Sequence, residues 1–174
     1  MSEITTSAVG AALDYLAAAA TTAYAAYAAA NNLAIQVIDG PPPAASEEAI
    51  SSLVWIGYDP TNPDEPAALG TQDFVHLNTL TRDEQLTIVN TIEYWTGDVA
   101  NVSGARQGAF ALLAVFELLL RGIGGNPGDT TLGGAVTWSQ ITSTQYTQDS
   151  ASPGLIARIV FRVSAKARLT IPTS

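Results

Sequence analysis

The sequence predicts an α+β domain in which an antiparallel β-sheet is flanked by helices. Three observations carry this expectation. Residues 6–30 are dense in alanine and free of proline, which favours a long N-terminal helix. Residues 84–95 and 155–169 alternate side chains with period two and are rich in β-branched residues, as strands are. Between them a second helical pattern interrupts the strands, so the element order reads helix, strand, strand, strand, helix, strand, strand.

Within the first helix, Leu13, Leu16, Ala20, Tyr24 and Tyr27 recur at steps of three and four and form one stripe, with Ala and Thr opposite. A helix packed on its own sheet is expected, and a separate interaction arm is the alternative. LAIQVI, residues 33–38, then reads as a short strand stopped by Gly40 and three prolines. SSLVWIGY supplies a second strand. Residues 59–72, DPTNPDEPAALGTQ, carry three prolines among acids and small residues and predict an exposed loop.

In EQLTIVNTIEYW, Leu86, Ile88, Asn90, Ile92 and Tyr94 share one strand face, and Thr87, Val89, Thr91, Glu93 and Trp95 share the other. NVSGARQGAFALLAVFELLLRG predicts the second helix. Ser103 is its expected cap, Gly122 its end, and Ala109, Leu112, Leu113, Phe116 and Leu120 its buried face. A glycine-rich connection follows. In AVTWSQITSTQYTQ, strict alternation puts Val136, Trp138, Gln140, Thr142, Thr144 and Tyr146 on one side. DSASPG turns this strand into the closing one, giving a C-terminal β-hairpin. The 174 residues fit a single domain, 1–174.

Composition narrows the function. Charged residues make up only 13% of the chain against roughly 25% in ordinary soluble domains, so much of the surface is expected to meet other protein. The net charge of −9 disfavours tight nucleic-acid binding. Cysteine is absent, which removes disulfides, thiolate metal sites and thiol nucleophiles. MSEITTSAVG lacks the basic and apolar regions of a signal peptide. Residues 16–35 are too polar in places, and too dependent on alanine, to be expected in a membrane.

Catalytic motifs find little purchase. His76 is the one histidine, with no nucleophile elbow beside it, and a zinc site has too few ligands. GIGGNPGD follows a helix and lacks the ending of a phosphate-binding loop. Asp59, Asp64 and Glu65 could meet a hard cation, but their spacing does not match a calcium loop. They are better candidates for a contact loop. No catalytic residue, cofactor site or metal site is assigned, and the expected protein is not an enzyme.

The closing strand is the most informative segment. The first 154 residues hold all sixteen acids and only Arg82, Arg106 and Arg121 as bases, whereas the last twenty hold Arg158, Arg162, Lys166 and Arg168 and no acid. Alternation places Ile159, Phe161, Val163, Ala165, Ala167 and Leu169 on a core face and the four cations on the other. The cation ladder is a solvated strand face or a candidate subunit interface, complementary to an acidic patch on an identical copy. Nucleic acid is a further option, although no aromatic side chain is interleaved to stack bases.

The ordered set LAIQVIDGPPP, LVWIGYDP, a Pro/Asp loop, RDEQLTIVNTIEYWTGD, GARQGAFALLAVFELLLR, DTTLGGAV and GLIARIVFRVSAKARL resembles the tail terminator, or tail completion, proteins of long-tailed bacteriophages, particularly those of actinobacterial hosts. It spans residues 33–169. Gly57 and Asp59 match a G-x-D after the second strand, Arg82 and Glu84 a charged pair before the central strand, and Gly97 and Asp98 its close. Arg106 opens the helix, and Leu132, Gly133 and Gly134 form the turn before the hairpin. The first helix is richer in alanine than the family pattern. The resemblance implies a virion protein assembled in the host cytoplasm: a ring, expected to be a hexamer, on the head-proximal end of the tail tube. Its partners would be its own copies, the tail tube protein and the head-completion or stopper protein. Genomic DNA would only pass through the lumen, past an acidic or weakly charged wall, and no membrane is involved. Another neck protein, such as a stopper or adaptor, is the alternative in the same class; a metal-dependent enzyme and an anion-binding adaptor are the alternatives outside it.

Overall fold

A computed structural model describes residues 6–42, 52–74, 81–123, 126–151 and 154–170. His76 lies outside the described residues. Helix α1 (Val9–Asn31) is followed by strands β1 (Ile35–Asp39), β2 (Ser52–Ile56), β3 (Ala68–Phe74) and β4 (Thr81–Thr96). Helix α2 (Val102–Arg121), the two-residue strands β5 (Gly122–Ile123) and β6 (Asn126–Pro127), and the hairpin of β7 (Trp138–Ala151) and β8 (Gly154–Thr170) complete the order. The chain is α+β, with a six-stranded sheet in the order β1-β2-β4-β8-β7 and β3 beside the first half of β4.

The sheet is mixed, which corrects the antiparallel expectation. β1 and β2 pair in parallel, whereas β2, β3 and β8 all lie antiparallel to β4. Consecutive parallel strands require a crossover of about a dozen residues, and residues 40–51 supply that length. The exposed loop also ends sooner than residue 72. Its last part, from Ala68, is β3, held by pairing with β4 from Ala68 opposite Ile88 to Phe74 opposite Arg82. Tertiary pairing overrides the small and polar residues of ALGTQDF there.

Both helices pack on one face of the sheet. From α1, Ala12, Leu16, Ala20 and Tyr24 are buried at steps of four; Leu13 and Tyr27 only flank that core. The Tyr24 hydroxyl donates to the Leu112 carbonyl of α2 at 2.9 Å. On α2, Ala109, Leu112, Leu113, Phe116 and Leu120 are buried, and Phe116 meets Phe161 of β8 edge-on at 4.8 Å. By length and apolarity α2 could cross a bilayer, but its apolar face lies against this sheet. Its cap is Asn101, whose side chain accepts from the Gly104 N–H at 3.0 Å, in place of Ser103. Asn32 ends α1 in the left-handed conformation, at φ 52°.

The start of α1 is held from a distance. Ala8 has no capping side chain, so the buried carboxylate of Glu84, on the helix-facing side of β4, accepts from the Ala8 N–H and the Ser7 hydroxyl, each at 2.7 Å. Gln72 of β3 donates to the same carboxylate at 2.9 Å. Arg82 and Glu84 are therefore interior residues of β4, where a charged pair ahead of the strand was expected.

A β-bulge between Ile141 and Ser143 breaks the alternation of β7. Trp138 opposes Lys166 on the side away from the helices, and Tyr146 opposes Ile159 on the helix side. Strict alternation had placed both on one face.

Candidate functional site

The face of the sheet turned away from the helices carries the predicted site residues. Its geometry follows from the register of β4 against β8. Asp83 lies opposite Arg168, and Glu93 opposite Arg158, so the ends of the cation ladder meet acids directly. Arg158 donates to Glu93 at 2.6 Å and also reaches Asp149 of β7 at 3.4 Å. Arg168 donates to both oxygens of Asp83, at 2.9 and 3.3 Å.

The two middle cations face neutral residues. Lys166 lies opposite Gln85 and leans diagonally to Asp83, at 3.0 Å. Arg162 lies opposite Val89, and its partner comes from the acidic loop: Arg162 Nη2 donates to Glu65 Oε1 at 2.5 Å. The candidate interface strand and the candidate contact loop thus meet within one chain. All four cations have intramolecular carboxylate partners, so the ladder does not require an acidic patch on a second copy for its neutralisation.

The loop is fastened at several points. The Thr91 hydroxyl donates to the Tyr58 carbonyl at 3.0 Å, and the Tyr58 ring lies 5.5 Å from that of Trp55. Asp59 is buried, with its Oδ1 accepting from the Thr61 N–H at 2.8 Å and hydroxyl at 2.7 Å. Asn62 donates to Glu65 at 3.4 Å. Asp64 remains exposed. Among the described residues no three carboxylate or histidine groups converge as a metal site would require.

Besides Glu84 at the start of α1, electrostatics mark two carboxylates. Hydrogen bonds from Arg168 and then Lys166 hold the Asp83 carboxyl down at about 2. Asp129, in the turn after α2, is also held below the usual carboxylate range, chiefly by the Thr131 hydroxyl and also by the Gly133 and Thr131 N–H groups. Its Oδ2 accepts from the Gly133 N–H at 2.6 Å. That bond fixes a turn in which Leu132, Gly133 and Gly134 all take positive φ, with Leu132 buried.

The loop-to-strand tie of Glu65 was missed from sequence, as were the two direct acid–base pairs. The latter had a signal. Asp83 and Glu93 are ten positions apart, as are Arg158 and Arg168, so one antiparallel register aligns both pairs. No such spacing announces Glu65. Between Lys166 and Arg162 the face holds a shallow hollow lined by Gln85, Thr87, Ser164, Lys166 and the half-exposed Trp138, and Leu69 stands exposed on β3. Compared with known proteins, the chain matches no family model, and no curated protein matches it.

Proposed function

We propose that the chain is a non-enzymatic structural subunit of a phage tail that assembles as a ring, expected to be a hexamer, on the head-proximal end of the tail tube. In this reading the ring stops addition of tube subunits and offers the surface to which the head-completion or stopper protein binds. The observation that carries it is an open sheet: among the described residues, neither β7 nor β1 has a strand on its outer side. A chain with 13% charged residues and unpaired sheet borders is suited to burial between neighbours. The ordered segments that resemble tail terminators support the head-proximal end of the tube as its position. Mechanism is shape and complementarity, with DNA passing an acidic or weakly charged lumen that does not hold its phosphates.

The readings of other classes have less support. An anion-binding adaptor needs available cations, and each cation of the ladder is paired with a carboxylate. A metal-dependent enzyme built on the loop would have to detach Glu65 from Arg162 and Asp59 from Thr61. Electron microscopy of particles carrying a tagged copy of the chain tests the proposal. Label at the junction of head and tail tube is expected, and absence from the neck would overturn it. Label on the head side of that junction would favour a stopper or adaptor instead.

A further inference from the structure

We infer that the contact between copies is made by adding the outer edge of β7 to the outer edge of β1 in the next subunit, so that the sheet runs on from copy to copy. This deepens the ring reading and rests on it for the demand that contacts be head-to-tail.

The β7 edge is unprotected. Its sequence, WSQITSTQYTQDSA, has no lysine and no proline, and Asp149 is its one charged residue. The bulge disturbs only its first part; Ser143–Ala151 keep a regular register with β8. That leaves a long row of backbone donors and acceptors with no partner strand among the described residues.

The polarity of the sheet admits β1 as the complement, together with β3, which runs the same way beside β4, and the helix layer decides for β1. β1 runs with β2, and each later step from β2 to β4, β8 and β7 reverses direction. β1 and β7 therefore run oppositely. Copies set side by side in the same orientation bring β7 antiparallel to the next β1, the more stable pairing.

The helix layer agrees with this choice. Phe110, on the ridge of α2 that overhangs β7, is 45% exposed. The Phe110 ring leans on Tyr146 of β7, at 5.6 Å. Ile35 and Val37 at the β1 border are only partly buried, and they pack into the same helix-side core. Joining the borders buries both apolar rims under one roof made by α2 and the neighbouring α1. The exposed surface of α1 includes Ala18, Thr21, Thr22, Ala25 and Ala29, small enough to admit the Phe110 ridge. Charge does not oppose the contact: Arg106 and Glu117 both lie on the flank of α2 that carries Phe110, and Asp14 is the one charged residue of α1. A two-fold contact of β7 with β7 would instead set ridge against ridge and close as a dimer.

The absence of cysteine makes the test direct. Gln36→Cys on β1 and Gln145→Cys on β7 each introduce a sole thiol on the same sheet face. A short bismaleimide should link the mixed pair and neither protein alone. Adding Phe110→Glu should cut the yield by about tenfold, compared at a temperature where circular dichroism shows the variant still folded, since it also gives up the ring contact with Tyr146. Efficient linking of Gln145→Cys with itself, or no mixed product up to the solubility limit, would overturn the contact. A protein carrying both cysteines separates the contact from the ring: a ladder of products that stops at one size supports closure. A ladder without end would keep the β7–β1 contact and reject the ring.

Discussion

Arg162 Nη2 lies 2.5 Å from Glu65 Oε1, joining the closing strand to a loop 97 positions earlier in the chain. Their side chains are 28% and 18% exposed, so solvent screens the pair only in part. The loop from Tyr58 to Ala67 is thereby laid over the sheet, and the acid-rich segment and the cation ladder become one surface.

Separating that pair should release the loop while leaving the core intact. Glu65→Gln and Arg162→Ser are each expected to cost about 1–2 kcal/mol in urea unfolding and to speed proteolysis between Asp59 and Pro66. Replacing Arg158, Arg162 and Lys166 together by serine should cost more, since Glu93, Glu65 and Asp83 all lose donors. Wild-type stability in the triple variant would show that these pairs contribute nothing to folding.

Asp83 should make stability fall in acid. Its carboxyl is depressed from an ordinary 3.8 to about 2, first by Arg168 and then by Lys166. A depressed folded value means stability present above the unfolded value and lost as pH falls toward the folded one. The window therefore runs from about pH 4 down to about pH 2. Carboxyl NMR should find Asp83 charged through most of it. Arg168→Gln should raise the midpoint, and a midpoint that stays put would assign the depression to another cause.

Much of this fold was legible because local pattern and tertiary environment agree. Leu112, Phe116 and Leu120 repeat at four, Ile159, Phe161 and Val163 at two, and all are buried as their periods require. Legibility failed where one residue changes the frame or a distant one completes a motif. An unpaired Thr142 in the bulge sends Trp138 and Tyr146 to opposite faces, and nothing in SQITSTQ marks it. The cap of α1 comes from Glu84, and the partner of Arg162 from Glu65, at separations local rules do not reach. The cations of the candidate site were readable as a ladder. Their neutralisation depended on register, which sequence alternation leaves open.

Glu84 should prove structural despite looking like a surface acid. Burial acts to raise its pKa, but donors from Ala8, Gln72 and Ser7 outweigh burial and hold the carboxyl below its usual range. Its contribution is therefore present above the ordinary value of 4.5 and lost as pH falls through the folded one. Glu84→Gln keeps the shape but aims an amide into a set of donors, and should cost about 1–3 kcal/mol. Hydrogen exchange should quicken first at Val9–Ala12, the turn this carboxylate caps. Exchange that rises equally across the protein would count against a local capping role.

Two helical glycines should respond in opposite directions to the same substitution. Gly10 in α1 has nothing within 4 Å of where a Cβ would stand, so alanine adds helix propensity without a clash. Gly10→Ala should stabilise by about 0.5 kcal/mol. Gly108 in α2 sits over β4 so closely that a Cβ would come within 2.5 Å of the Tyr94 ring. There overpacking should exceed the propensity gain, and Gly108→Ala should destabilise by about 1–3 kcal/mol. If that loss comes from the ring, Tyr94→Leu should recover part of it in a double-mutant cycle. Equal stabilisation by both alanines would mean that α2 rides higher on the sheet than its contact with Tyr94 indicates.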